Sequence, residues 1–149
     1  MQLTWILKEF SALSPAELYA IIRLRNEVFV IEQNCIYQDA DNKDQLSLHL
    51  CGWAGDELVA YTRLIPPGVS YAESAIGRVV TAPAHRKSGL GRELMQVSIK
   101  KTFQAFNTGT IKISAQVYLK KFYQSLGFEQ CSEDYLEDGI PHIMMLLHK

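Results

Sequence analysis

The apolar residues of this chain recur with a period of two in some stretches and with a helical period in others, which predicts strands interleaved with helices. Ala54-Gly55-Asp56 is a turn that joins two antiparallel strands, and Asp138-Gly139 marks a second turn near the end of the chain. The predicted strands are residues 2–10, 48–54, 57–65 and 75–81, a stretch with Ile111, Ile113 and Ala115, and residues 128–135 and 142–148. Together they predict one mixed sheet.

Three stretches have the helical period. Ser14-Pro15-Ala16-Glu17 combines a capping box with proline at the first helical position, so a helix begins there. A second helix begins after Gly91 and runs to about Phe106, and a third ends at Gly127. The apolar positions of the first are Leu18, Ile21, Ile22, Val28 and Phe29, and those of the third are Leu119, Phe122, Tyr123 and Leu126. The fold class is therefore α/β, with helices on both faces of a mixed sheet.

Length, charge and cysteine content exclude several classes of protein. The chain has 149 residues, which fits one domain over residues 1–149, and a formal net charge of −1, which argues against nucleic acid or an anionic membrane as the main partner. No segment approaches the roughly 20 apolar residues that a membrane span needs. Cys35, Cys51 and Cys131 are odd in number and lack metal-ligand spacing, so a reduced protein in the cytoplasm, without a metal, is expected.

The segment from Ile76 to Arg92 carries the clearest chemical signal. An apolar strand runs into a turn at Pro83, and a basic, glycine-containing loop then leads into a helix. The free amides and the dipole of a helix N-terminus favour an anion, and Gly89 and Gly91 let the backbone approach it closely. This segment predicts a site for a phosphate or pyrophosphate.

Spacing excludes two common phosphate loops. A P-loop requires G-x-x-x-x-G-K-[ST], but Arg92 and Glu93 follow Gly91, and the third glycine of a dinucleotide fingerprint is absent. What remains is R-x-x-G-x-G from Arg86 to Gly91, after a strand that ends in Val-x-x-Pro. This pattern resembles the acetyl-coenzyme A loop of the GNAT N-acetyltransferase superfamily.

The second half of the chain resembles the same superfamily. Residues 116–128 close in F-Y-x-x-x-G-F, the other signature of these enzymes, and residues 24–41 and 137–142 resemble its ElaA group. The resemblance covers essentially the whole chain. It implies the GNAT fold, with a central, mostly antiparallel sheet, and transfer of an acetyl group from acetyl-CoA to an amine.

The resemblance also implies roles for particular residues. Tyr123 takes the position of the general acid that protonates the departing thiolate, with Tyr118 as the weaker alternative. A backbone N–H of the strand, for which we choose Val80, stabilises the oxyanion. Lys87 stands where glycine is common, and Gln116 where many relatives have asparagine. The implied cofactor-binding residues are Val79, Val80, Thr81, Arg86, Lys87, Ser88, Gly89, Leu90, Gly91, Arg92 and Gln116.

The acceptor amine must lose a proton before it attacks, because an amine like that of lysine has a pKa near 10.4. The candidate bases are Glu32, Asp39, Asp41, Asp44, His49 and His142. Asp39, Asp41 and Asp44 form an acidic loop, which either attracts a cationic amine or is simply a solvated surface. We expect Glu32, Asp41 and His142 to face the amine, and Asp44 to be more solvated and to matter little.

Two classes of function are compatible with these features. The first is an N-acetyltransferase that moves an acetyl group directly, in a ternary complex, to a primary amine of a small molecule or peptide. The second is a non-catalytic acyl-CoA binding or sensing module, which would keep the phosphate loop and lose residues such as Tyr123. The sequence leaves open the acceptor, the acyl chain length and the oligomeric state, and it is compatible with a homodimer.

Overall fold

An eight-stranded sheet organises the computed structural model, which describes residues 2–86 and 89–149. The strands are β1 (Thr4–Glu9), β2 (Leu48–Ala54), β3 (Glu57–Ile65), β4 (Ser74–Thr81), β5 (Thr110–Gln116), β6 (Glu129–Gln130), β7 (Tyr135–Glu137) and β8 (Ile140–His148). Their order is β1-β2-β3-β4-β5-β8-β6, and β7 pairs with β8. Among the described strands, β4 and β5 form the one parallel pair. The sheet is therefore mostly antiparallel, as predicted.

The three predicted helices are present, although the second begins at Leu90, before Gly91 and not after it. They are α1 (Pro15–Arg25), α2 (Leu90–Ala105) and α3 (Lys120–Gln124). The capping box of α1 is confirmed, because the Ser14 hydroxyl accepts from the Glu17 N–H at 3.1 Å and the Glu17 carboxylate accepts from the Ser14 N–H at 2.8 Å. Residues Asn26–Glu32 continue α1 as a π-helix, whose wider turns are uncommon and often lie at functional sites.

Helices cover both faces of the sheet, as two neighbouring residues of β3 show. The Thr62 hydroxyl contacts the Ser98 hydroxyl of α2 at 2.7 Å. The next side chain, Arg63, points to the other face and contacts Asp44, which also binds Arg25 at the end of α1. The core consequently has two apolar layers, one on each face.

The prediction of a continuous strand over residues 128–135 is wrong. In the first part of the predicted strand, only Glu129–Gln130 forms a strand that pairs with β8. Strand pairing with β8 resumes at β7. Between them the Ser132 hydroxyl accepts from the Met144 N–H at 2.8 Å. A side chain thus replaces a backbone partner, and the strand is interrupted. The first strand is also shorter than predicted, since a 3₁₀ turn at Phe10–Ala12 follows it.

Candidate active site

A gap between β4 and β5 forms the centre of the site. These strands pair only at Ser74 with Ile111 and at Ala75 with Lys112. Beyond these pairs the strands diverge, although β4 continues to Thr81. A free strand edge of this kind can pair with an extended ligand.

A β-bulge lies in β4 beside this gap. The register with β3 shifts between Tyr61, which faces Val80, and Arg63, which faces Gly77. Arg78 lies in the shifted segment with φ of 50°, in the left-handed region that most residues avoid. The extra residue redirects β4 beside the gap.

The register of β3 and β4 also determines which amides face the gap. Ala82 N donates to a β3 carbonyl at 2.8 Å, and Val80 lies opposite Tyr61. Because hydrogen bonding alternates along an antiparallel pair, the Val80 N–H is directed at β3 and the backbone of Thr81 at the gap. The Thr81 carbonyl accordingly accepts from Arg86 at 3.4 Å. The register thus favours another amide of this stretch over that of Val80 as an oxyanion donor.

The N-terminus of α2 has the properties of an anion site. Gly89 is its N-cap, with φ of 74°, and provides no side-chain cap. The Gly89 carbonyl accepts the first hydrogen bond of the helix, from the Glu93 N–H at 3.0 Å. The amides before Glu93 therefore have no partner within the helix. A Cβ built at Gly89 or Gly91 meets nothing within 4 Å. The described residues thus leave open space at both glycines. Lys87 and Ser88, predicted to contribute to the same loop, lie outside the described residues.

Both described arginines of the loop already have partners. Arg86 forms a bidentate ion pair with Glu32, at 2.8 and 2.6 Å. Its hydrogen bonds lower the pKa of the Glu32 carboxyl. Arg92 donates to the Ser125 hydroxyl at 2.6 Å and lies over the Phe122 ring at 5.7 Å. Arg92 therefore ties α2 to the end of α3, and Glu32 lies beside the phosphate loop.

Tyr123 lies in α3, just beyond the end of β5, and is 6% exposed. Its ring packs edge-on against Phe122 and Phe128. Burial raises the pKa of Tyr123 to about 12, so the phenol stays protonated at neutral pH. Tyr118, the alternative, is 76% exposed. The Tyr123 phenol is therefore an uncharged hydrogen-bond donor at neutral pH.

Comparison with known proteins identifies the family. The family model described as an acetyltransferase (GNAT) domain matches residues 11–149. The chain belongs to the GNAT acetyltransferase family. It is 42% identical to the protein ElaA of Escherichia coli over 137 residues, which are 91% of this chain and 90% of that protein.

Two crystal structures of similar proteins have the same GNAT fold. That of E. coli ElaA has a TM-score of 0.92 at 39% identity, and covers 99% of this chain and 100% of its own. An acyl-CoA N-acyltransferase from Pseudomonas aeruginosa has a TM-score of 0.94 at 40% identity, with 98% and 99% coverage. The predicted GNAT fold and the ElaA-like resemblance are confirmed. The fold uses an acyl-CoA as co-substrate, and the family is one of acyltransferases.

The acidic loop of this GNAT domain is neutralised by arginines. Asp39, Asp41 and Asp44 contact Arg25, Arg63 and Arg78 in one connected network with distances of 2.7 to 3.4 Å. The expectation that Asp44 is solvated is wrong, because it is 9% exposed and bridges Arg25 and Arg63 at 2.8 Å each. The network joins α1 to β3 and to the bulge of β4.

The network shifts the titration of its carboxylates. Burial alone would raise the pKa of Asp41, but the hydrogen bond and charge of Arg63 outweigh it and hold that pKa well below its usual value. The pKa of Asp44 is lowered in the same way, by Arg25 and then Arg63. Asp41 is therefore a charged partner of arginines before any acceptor binds.

The two buried histidines have different surroundings. His49 bonds on both nitrogens, to the Tyr61 hydroxyl at 2.7 Å and the Asp44 carbonyl at 2.8 Å, and burial lowers its pKa. It is a core residue. His142, opposite Gln116 at the end of β5, faces Glu137 at 3.5 Å. Of the predicted acceptor residues, Glu32, Asp41 and His142 thus each have a different charged partner.

Several site residues were missed by sequence reasoning. Arg25 falls on the apolar face of α1, and Arg63 stands within an apolar strand, so both break a hydrophobic pattern. Charges at such positions, with an acidic loop in the same chain, are the signal of a buried ion pair. Arg78 breaks the pattern of β4 in the same way. Tyr135 lies in no such pattern, and only the fold brings it next to His142.

Two further properties concern the described part of the chain as a whole. Within residues 2–86 and 89–149, no helix is long and apolar enough to cross a bilayer. The same residues contain no group of three or more His, Cys, Asp or Glu side chains placed to hold a metal ion.

Proposed function

We propose that this protein transfers an acetyl group from acetyl-CoA to a primary amine of a small molecule or peptide, directly and within a ternary complex. The observation that supports it most is the gap between β4 and β5, together with the unpaired amides at the N-terminus of α2, the helix that follows β4 in the chain. The gap offers a strand edge to the pantetheine arm, and the helix N-terminus offers donors to the pyrophosphate.

The residues divide between the two substrates. On the acetyl-CoA side we place Val79–Thr81, the amides of Gly89–Arg92, and Gln116, with Arg86, Lys87 and Ser88 in the same loop. On the acceptor side we place Asp41 and His142. Glu32 connects the acceptor side to the acetyl-CoA side, because its carboxylate binds Arg86. We also propose that residues 1–149 form one domain, in the cytoplasm. The family match over residues 11–149 and the three free cysteines support this.

The chemistry needs three groups from the protein. A gap-facing amide of Val79–Thr81 donates to the developing oxyanion, a contribution of about 3 kcal/mol in enzymes where it has been measured. Tyr123 donates a hydrogen bond to the departing sulfur. The pKa of Tyr123 is about 12, far above the pKa of about 8.5 of a thiol. The phenol therefore stabilises the thiolate through this hydrogen bond, and a phenolate formed by proton transfer would soon be protonated again. An acceptor-side base removes the proton of the amine.

A screen for the acceptor tests this proposal. Purified protein is incubated with acetyl-CoA and a panel of primary amines, peptides and aminoglycoside-type antibiotics, and release of the CoA thiol is followed. We expect saturable, enzyme-dependent release with some members of the panel, together with acetylated product by mass spectrometry. Thiol release without an acetylated amine would contradict the proposal, since it would indicate a thioester hydrolase.

The substitution Tyr123→Phe tests the role of the phenol. It keeps the packing against Phe122 and Phe128, so we expect an unchanged fold and an unchanged Kd for acetyl-CoA. The turnover number should fall about 100-fold, at the lower end of the range for general acid–base assistance, because a thiolate leaves readily. Tyr118→Phe, on an exposed ring five residues earlier, is the matched control. A wild-type kcat in Tyr123→Phe would make Tyr123 a core residue only.

A further inference from the structure

Four polar side chains lie together on one face of the sheet, where β5, β8 and β7 meet. They are Ser114, Tyr135, Glu137 and His142. Tyr135 pairs with His142 in the register of β7 and β8, and their rings stack at 6.1 Å. His142 also pairs with Gln116, the last residue of β5, well beyond the point where β5 leaves β4. The cluster therefore borders the gap.

Hydrogen bonding determines where the protons of this cluster lie. His142 Nδ1 is 2.7 Å from the Ile140 carbonyl oxygen, which can only accept, so Nδ1 carries a proton. In the neutral imidazole, Nε2 then has a lone pair. Ser114 donates to Glu137 Oε1 at 3.2 Å, and its oxygen is left to accept from the Tyr135 hydroxyl. Each of these hydrogen bonds has one donor and one acceptor.

One contact lacks a donor. Glu137 Oε2 and His142 Nε2 are 3.5 Å apart, and in this state both atoms are acceptors. The His142 side chain is 8% exposed, so bulk water reaches it poorly, whereas that of Glu137 is 48% exposed and open on its outer side. A cationic N–H group about 2.9 Å from both atoms would complete the contact. A protonated primary amine is such a group.

We propose that Glu137 and His142 bind the acceptor as an ammonium ion and that His142 Nε2 takes its proton, which rests on the proposed acetyltransferase function. Glu137 holds the cation first and the imidazolium afterwards, so the negative charge serves both states. Tyr135 and Ser114 are positioning residues, since they hold the ring and the carboxylate in place. This gives the acceptor side its base, and allows the site to use amines that are cations at neutral pH.

The proton and bond balance of the step is complete. The ammonium ion gives one proton to Nε2, and the nitrogen lone pair forms the C–N bond to the thioester carbonyl carbon. The C–S bond breaks, and the sulfur leaves with its electron pair. The second proton lost by nitrogen neutralises the thiolate, through the Tyr123 hydroxyl or solvent. The imidazolium proton goes to solvent, so one amide, one CoA thiol and one proton are formed.

Apart from His142, no described cation forms an ion pair with Glu137. Tyr71 approaches from the segment before β4, and burial, Tyr135 and Glu137 raise its pKa to about 12, so it is a neutral phenol. Lys112 is directed to the Tyr71 ring, 5.1 Å from its centre. A cation is therefore the favoured occupant.

Two small nucleophiles of nearly equal size test the proposal. Methylamine is almost fully protonated at pH 7, as a lysine side chain would be, whereas hydroxylamine is mostly neutral there. With acetyl-CoA as donor and the enzyme-free rate subtracted, His142→Gln should lower kcat/KM for methylamine about 100-fold. For hydroxylamine, which needs no base, the loss should be under about threefold. Glu137→Gln should follow the same pattern.

His148→Gln is the matched control, because His148 lies exposed on the same strand, at its far end. It should leave both reactions unchanged, and all variants should bind acetyl-CoA with the wild-type Kd. Equal losses for the two nucleophiles in His142→Gln, or no loss for either, would overturn the assignment of the pair while leaving the transferase proposal intact. A wild-type protein that releases CoA with neither nucleophile and with no amine of the panel would instead contradict the proposed function itself.

Discussion

Gly91→Asp is expected to weaken acetyl-CoA binding about 1000-fold while leaving the free protein at least as stable as the wild type. A carboxylate about 4 Å from one phosphate charge costs ~4 kcal/mol at an effective dielectric near 20, and each factor of ten in Kd corresponds to about 1.4 kcal/mol. An aspartate in the first turn of α2 interacts favourably with the helix dipole, by about 0.3–1 kcal/mol. Binding and stability should therefore change in opposite directions.

The surroundings of Gly91 make this substitution cleaner than one at Gly89. Gly89 has φ of 74°, so any side chain there strains the backbone, whereas Gly91 lies outside the positive-φ residues and has open space around its Cβ direction. Titration calorimetry measures the Kd, and thermal unfolding measures the stability.

Two controls separate charge from the loss of glycine. Gly91→Ala adds a methyl group without charge and should weaken binding far less. Gly109→Asp places the same charge at another exposed glycine with open space, in the loop before β5, and should not change the Kd. A wild-type Kd in Gly91→Asp would contradict the assignment of the pyrophosphate to this helix terminus.

Asp44→Asn is expected to lower the free energy of unfolding by about 3 kcal/mol, near the lower end for removing one partner of a buried ion pair. Asp44 is buried between Arg25 and Arg63, which would lose the negative charge that both contact at 2.8 Å. The melting temperature should fall by roughly 10 °C. Asp134→Asn, on an exposed loop, should change stability by less than about 0.5 kcal/mol.

The same network predicts the response of the protein to acid. Because the folded-state pKa values of Asp41 and Asp44 lie below their ordinary value near 3.8, these carboxylates stabilise the fold above that pH. Their contribution falls as the pH drops through the lowered values. Acid unfolding of Asp44→Asn should therefore begin at a higher pH than that of the wild type. Identical acid and thermal transitions in the two proteins would show that the network does not stabilise the fold.

The sequence predicted most of the architecture because its signals are local. The capping box at Ser14 and the glycine loop before α2 each fix an element boundary through neighbouring residues. The turn at Asp138-Gly139 does the same, since both residues have positive φ, at 51° and 78°. Family signatures then added the order of the elements.

Of the proposed acceptor side, Asp41 and His142 were predicted from the sequence but their partners were not, because these contacts join distant segments. Asp44 reads as a solvated loop residue until Arg25 and Arg63 are brought against it, from 19 residues away on either side. The bulge at Arg78 leaves no mark in the sequence. Glu137 contacts His142 only because β7 pairs with β8.

One measurement tests the central claim, direct transfer within a ternary complex, most directly. Wild-type protein is mixed with acetyl-CoA alone and then with acetyl-CoA and an amine from the panel, and intact-protein mass and CoA thiol are recorded in both. Direct transfer predicts binding without thiol release or acetylated protein in the first mixture, and one thiol per acetylated amine in the second. Burial raises the pKa of Cys51 to about 12, which makes it a poor nucleophile. An acetylated protein formed before the amine is added, or binding with no transfer to any amine, would contradict the account.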